Sequence, residues 1–158
     1  MKTGIVHQNV RSRQRPESGI TLLELLVVLA IVGILLSVAY PSYMQYVTRS
    51  HRTAAKFVLL QVADRQEQLF GENKQYTANL TDLGYVANTF MINENALLVA
   101  DGDNDRIYAL GLTNTSAVTF TVNAAPQLRQ ARHDTQCQTL TLAHTGLRGQ
   151  TGASTGCW

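Results

Sequence analysis

Charge is scarce in this chain. Only 15% of its 158 residues are Asp, Glu, Lys or Arg, against about 25% in an average globular protein. Between Leu25 and Thr48 there is none. Proline occurs three times, cysteine twice and tryptophan once. The four histidines (His7, His51, His133 and His144) are scattered, with no His-Glu-x-x-His spacing, and no Cys-x-x-Cys pair occurs. The usual signatures of zinc peptidases and thiol redox proteins are therefore missing. The expectation is a protein that is not an enzyme and holds no cofactor or metal. The length is too short for a dinucleotide-binding enzyme with a second domain or for a (β/α)8 barrel. An apolar content of 45% excludes wholesale disorder.

The net charge of +2 conceals a division. Lys2, Arg11, Arg13 and Arg15 against Glu17 put the first 19 residues at +3, leaving the remainder at −1. Without its N-terminal piece the chain is nearly neutral, so bulk charge makes no case for nucleic acid or an anionic membrane surface as partner.

What the chain has in abundance is a run of apolar residues. From Ile20 to Ala39 it is apolar on every face except at Glu24. Such a helix needs lipid or other apolar helices around it, and the run meets the roughly 20 residues that a ~30 Å hydrocarbon layer requires. Its fourteen Leu, Ile and Val side chains contribute about −6 kcal/mol to insertion, against about +3 for one carboxylate. The segment inserts despite Glu24. The preceding Lys and Arg keep the N-terminus cytoplasmic and send the rest outward.

Beyond Pro41, residues Val47, Ala54, Ala55, Val58, Leu59, Val62, Leu69 and Phe70 form one stripe at helical spacing, with Arg49, Arg52, Lys56, Asp64 and Glu67 on other faces. The spacing predicts one helix from about Ile20 to Glu72, bent at Pro41 and stopped near Gly71 and Asn73. Residues 73–105 read as a long connection with short elements. Residues 106–113 and 117–123 read as a hairpin around Asn114–Ser116, and residues 138–143 alternate as a third strand. An antiparallel sheet covered by the amphipathic half of the helix follows. The Gly- and Thr-rich stretch 146–156 is expected to be an irregular loop.

Cys137 and Cys157 bracket that stretch. In an exported domain an even count favours a disulfide over metal ligation or redox work, and two cysteines alone make no structural zinc site. Residues Asp101–Asp105 invite a calcium reading, but the EF-hand positions for Gly and Glu hold Arg106 and Leu112; an acidic turn is the simpler expectation. Arg129, Arg132, His133 and Arg148 form a local basic group that could touch phosphates weakly, and a solvated face accounts for it as well. Gly146, Gly149 and Gly152 have no helix after them to complete a phosphate loop.

Residues 18–28, Ser-Gly-Ile-Thr-Leu-Leu-Glu-Leu-Leu-Val-Val, closely resemble the prepilin signature of type IV pilins. The resemblance implies cleavage between Gly19 and Ile20, N-methylation of the new terminus by the prepilin peptidase, Glu24 as the fifth mature residue, and Pro41 at the family's kink. It extends to residues 76–84 in the loop after the helix and to the Cys137–Cys157 loop. Within the family it points to PilE-like, ComP-related minor pilins. Three features depart from the pattern: Ile20 stands where Phe is usual, Pro16 and Glu17 interrupt a longer basic leader, and Gln61 stands where many major pilins have a second Pro or Gly break.

The resemblance implies an α+β pilin fold: a long hydrophobic helix on a small antiparallel sheet with a C-terminal disulfide loop. It divides the chain into a leader (1–19), a transmembrane and filament-core helix (20–47), and a head (48–158) made of an amphipathic helix (48–72), a loop (73–105) and the sheet with its disulfide loop (106–158). The implied partners are other major and minor pilins, the peptidase and the inner membrane before assembly. Localisation moves from that membrane to an extracellular pilus, with pilus assembly, twitching motility or adhesion as the roles. Glu24 has a physical rationale of its own. A carboxylate in an apolar bundle needs a named partner, and the Ile20 amine of a neighbouring subunit is one. Three alternatives stand beside this reading: a ComP-like pilin capturing DNA through Arg129, Arg132 and Arg148, a type II secretion pseudopilin, and a soluble protein cut from a conventional signal peptide before Tyr40.

Overall fold

The computed structural model describes residues 19–158. The basic leader with Lys2, His7, Arg11, Arg13, Arg15, Pro16 and Glu17 lies outside the described residues. The described residues divide into two units, one ending at Val38 and the other spanning Ala39–Trp158.

Helix α1, Leu22–Asn73, has residues in both. It starts where Thr21 Oγ1 accepts the Glu24 N–H at 3.2 Å, an N-cap that satisfies one of the free donors of the first turn. From Leu22 to Val38 every residue is exposed. Pro41 lies inside the helix and, lacking an N–H, leaves the Ser37 carbonyl without its usual partner. In the head, Thr48, Ala55, Val58, Leu59, Val62 and Gln66 are buried, the period expected of a helix covering a core. The helix ends close to the expected stop at Gly71 and Asn73. It continues to Asn73, and the turn is made by Lys74 in the left-handed region (φ 58°). The Lys74 ammonium also donates to the Gly71 carbonyl at 3.1 Å, satisfying an end carbonyl that a glycine cap leaves to backbone donors.

A single 3-10 turn, Leu80–Leu83, follows. Six antiparallel strands then form one sheet: β1 (Thr89–Ile92), β2 (Leu98–Val99), β3 (Tyr108–Thr113), β4 (Thr121–Pro126), β5 (Leu140–Ala143) and β6 (Arg148–Gln150). Their order is β2-β1-β3-β4-β5-β6. Alternate residues Phe90, Ile92, Tyr108, Leu110, Val122, Ala124, Leu140 and Leu142 join Ala55, Val58, Leu59 and Val62 of α1 in one core, the period-two pattern of a sheet buried on one face. A short helix α2, Leu128–His133, sits between β4 and β5.

Three expectations need correction. Residues 73–105 contribute two strands to the sheet, too short at four and two residues to announce themselves by alternation. The second hairpin strand begins at Thr121, not Ala117, and runs to Pro126, because Ser116 Oγ accepts the N–H groups of Val118 and Thr119 and holds that stretch in a turn. The tail is not wholly irregular. Its residues Arg148–Gln150 pair with Leu140–Leu142, and the Cys137–Cys157 disulfide closes around both strands. At Gly152 a Cβ would lie 2.1 Å from the Gln136 carbonyl oxygen, so the return of the tail requires glycine there.

Candidate functional site

Two surfaces carry the residues singled out from sequence. At the N-terminal end, Gly19 and Ile20 are exposed and non-helical, immediately ahead of α1. Glu24 is exposed in the first turn of the helix, where the helix macrodipole favours a negative charge. Around them Leu22, Leu23, Leu25 and Leu26 are all more than half exposed, and no residue of Leu22–Val38 is buried.

The second surface surrounds a buried polar cluster in the head. The Asp134 side chain is fully buried. Arg52 Nε donates to both of its oxygens at 3.0 Å, Tyr108 donates its hydroxyl at 2.9 Å, and Gln130 Nε2 lies 3.1 Å from Oδ2. This joins α1, β3 and α2 through one carboxylate. Burial, and then the Asp134 charge, push the Tyr108 phenol far above its ordinary range. Beside the cluster a cleft of about 430 Å3 opens between α1, the β1–β2 turn, the segment before β3, and α2; His51, Glu94, Arg106 and Arg129 are among its walls. Within it Arg106 Nε is buried without a hydrogen-bond partner.

The predicted basic group is distributed over two elements. Arg129, Arg132 and His133 are exposed on α2, whereas Arg148 is on β6, its guanidinium 5.5 Å from the centre of the Trp158 ring. Lys56 of α1 approaches the same ring at 6.0 Å, and the indole N–H donates to the Gly149 carbonyl at 2.8 Å. Burial first, then the charges of Arg52 and Arg148, lower the Lys56 pKa from its ordinary value. Asp101–Asp105 form a turn in which Asp103 Oδ1 accepts the Asp105 N–H.

Sequence reasoning missed Gln66, Tyr108, Gln130 and Asp134. Gln66 had a signal, since it continues the apolar stripe one turn beyond Val62. Its amide binds both backbone groups of Thr77, accepting the N–H at 3.1 Å and donating to the carbonyl at 2.8 Å. Asp134, in a stretch of polar residues, had none.

An apolar rod with a carboxylate in its first turn, ahead of an α+β head closed by a disulfide, describes a subunit anchored through its N-terminus. A family model described as type IV minor pilin ComP, DNA uptake sequence receptor, matches residues 41–141, and the prokaryotic N-terminal methylation motif matches residues 14–40. The type IV major fimbrial protein FimA of Dichelobacter nodosus is 33% identical over 125 residues, which cover 71% of this chain and 77% of that protein. A fimbrial protein of Pseudomonas aeruginosa is 27% identical over 115 residues, covering 66% and 75%. The type IV major pilin protein PilA of Myxococcus xanthus is 35% identical over 75 residues, 47% of this chain, and the match spans about a third of that relative's length (34%). The chain belongs to the type IV pilin family. It carries that family's N-terminal methylation motif, and its place is the membrane as a precursor and then an extracellular pilus. The family is one of structural subunits.

Proposed function

We propose that this chain is a non-catalytic minor pilin, cleaved and N-methylated after Gly19 and built into the pilus through residues 20–47, with residues 48–158 as the displayed head. The observation that carries this reading is the apolar surface from Leu22 to Val38, wholly exposed among the described residues. Lipid covers it before assembly, and sister helices of major and minor pilins cover it afterwards. In that bundle the Glu24 carboxylate meets the Ile20 amine of a neighbour, a pairing that penalises wrong registers more than it stabilises the right one. Pro41 marks the bend of the core helix. The roles that follow are pilus biogenesis, twitching motility or adhesion. Replacing Glu24 with Ala is expected to leave the subunit in the membrane and remove it from sheared pili; normal amounts of the variant in pili would overturn the pairing.

A second reading, capture of DNA, is favoured by the exposed Arg129 and Arg132 on α2 and by Arg148 and Lys56 around Trp158, with the description of the matching family model beside them. Phosphate contacts of this kind weaken steeply with salt. Gel retardation at low salt that fades between 50 and 200 mM and is lost when Arg129, Arg132 and Arg148 are replaced by Gln is the expected result; no retardation at low salt sinks this reading and leaves the first untouched.

A further inference from the structure

The buried cluster selects the tautomer of the neutral His51 ring. Gln130 Nε2 faces three oxygens: the Thr48 carbonyl at 3.2 Å, the Tyr108 hydroxyl at 2.9 Å and Asp134 Oδ2 at 3.1 Å. Tyr108 gives its own proton to Asp134, so its oxygen is an acceptor. All three contacts require the nitrogen of the amide on that side, and the Gln130 Oε1 is thereby turned to His51 Nδ1 at 2.9 Å. A carbonyl oxygen can only accept, so Nδ1 carries the imidazole proton. His51 Nε2 is then bare in the neutral ring. It lies 3.7 Å from Glu94 Oε2.

Glu94 belongs to the turn between β1 and β2, which holds its own shape. Asn93 Oδ1 accepts the N–H groups of Asn95 and Leu97, and the Asn93 N–H donates to the Leu97 carbonyl. The turn can therefore be clamped as a unit. Both His51 and Glu94 line the cleft.

We infer that His51 is a pH-responsive latch: a proton taken up at Nε2 pairs α1 with Glu94 and straps the β1–β2 turn across the mouth of the cleft. Imidazole is the side chain whose charge changes between pH 5 and 8. The other charged groups facing the cleft are Asp105 and Arg106 from the segment before β3, and Arg129 and His133 from α2. On α1 itself, Arg52 is bound to Asp134. Of these, Asp105 carries the same charge as Glu94, and Arg106 and Arg129 carry the opposite one. Glu94 is 70% exposed, so the clamp is a modest one, worth about a two- to fivefold change in opening of the turn.

The test uses the full chain in detergent micelles. Nitrogen-15 spectra at pH 8 are expected to show the Nδ1–H tautomer of His51. Amide exchange protection of Asn93–Leu97, corrected for intrinsic rates, is expected to rise about two- to fivefold in step with the His51 titration towards pH 5. Glu94→Gln, a change at an exposed position, abolishes that rise, as does His51→Gln, and His133→Gln preserves it. An Nε2–H tautomer at pH 8, unchanged protection in the wild-type chain, or a rise that survives Glu94→Gln overturns the latch.

Discussion

The two halves of α1 sort their side chains in opposite senses. From Leu22 to Val38 the helix leaves apolar groups bare, with Leu22 82% and Val38 71% exposed. In the head it takes polar groups inside, with Gln66 fully buried and the Arg52 side chain only 15% exposed. The difference teaches that burial follows the availability of a partner more than polarity. Arg52 and Gln66 can be buried because Asp134 and the Thr77 backbone complete their hydrogen bonds, and a buried polar group is costly only when that completion fails. The apolar half finds no counterpart among the described residues.

The sharpest way to break this comparison is to remove the head's central acceptor. Asp134→Ala leaves Arg52, Tyr108 and Gln130 facing one another without a carboxylate, and is expected to cost about 3–5 kcal/mol in urea unfolding followed at Trp158. The paired change Arg52→Met with Asp134→Leu, which replaces charge by packing, is expected to recover most of that loss. A smaller effect is expected at the second buried amide. Gln66→Leu strands the Thr77 N–H and carbonyl and should lower stability by about 1–3 kcal/mol, with amide exchange accelerated first at residues 77–80.

The smallest effects are read from pH. With the Tyr108 phenol held far above its ordinary range by burial and by Asp134, the folded head keeps a proton that the unfolded chain releases above about pH 10. Its contribution is fully present below that pH and declines as pH rises further. Tyr108→Phe should reduce this alkaline loss without abolishing it, since burial also raises the Tyr85 pKa. Lys56 has the opposite sign. Its pKa is lowered in the folded head, so its contribution improves as pH climbs towards about 10.4, the unfolded lysine value. Lys56→Gln should remove that rise in unfolding midpoints measured from pH 8 to 11.

The regions differ equally in how openly the sequence declares them. Ile20–Ala39 is legible at a glance, because a segment that must dissolve in lipid or in a helix bundle can vary little in chemistry. The stripe Ala55, Val58, Leu59 and Val62 is legible because helical periodicity survives in the order of residues. Strand β3 was recoverable from strand propensity and β5 from alternation, but β6, Arg-Gly-Gln, has no apolar residue to alternate; it pairs with β5 inside the disulfide loop. The Asp134 cluster was hidden for a different reason. Its members come from α1, β3 and α2, and residues 52, 108, 130 and 134 acquire a common meaning only when the sheet has brought them together. Glu24 lies at the other extreme: a motif of contiguous residues singles it out.

The amide of Gln66 substitutes for a neighbouring strand, offering Thr77 both a donor and an acceptor across eleven positions. That clasp fixes the length of the intervening chain. One residue inserted into the helix between them would swing the anchor about 100° around the axis, and one deleted after Asn73 would pull Thr77 from its reach. Through evolution, or under an engineer's hand, residues 67–76 can exchange their side chains far more readily than they can change their number.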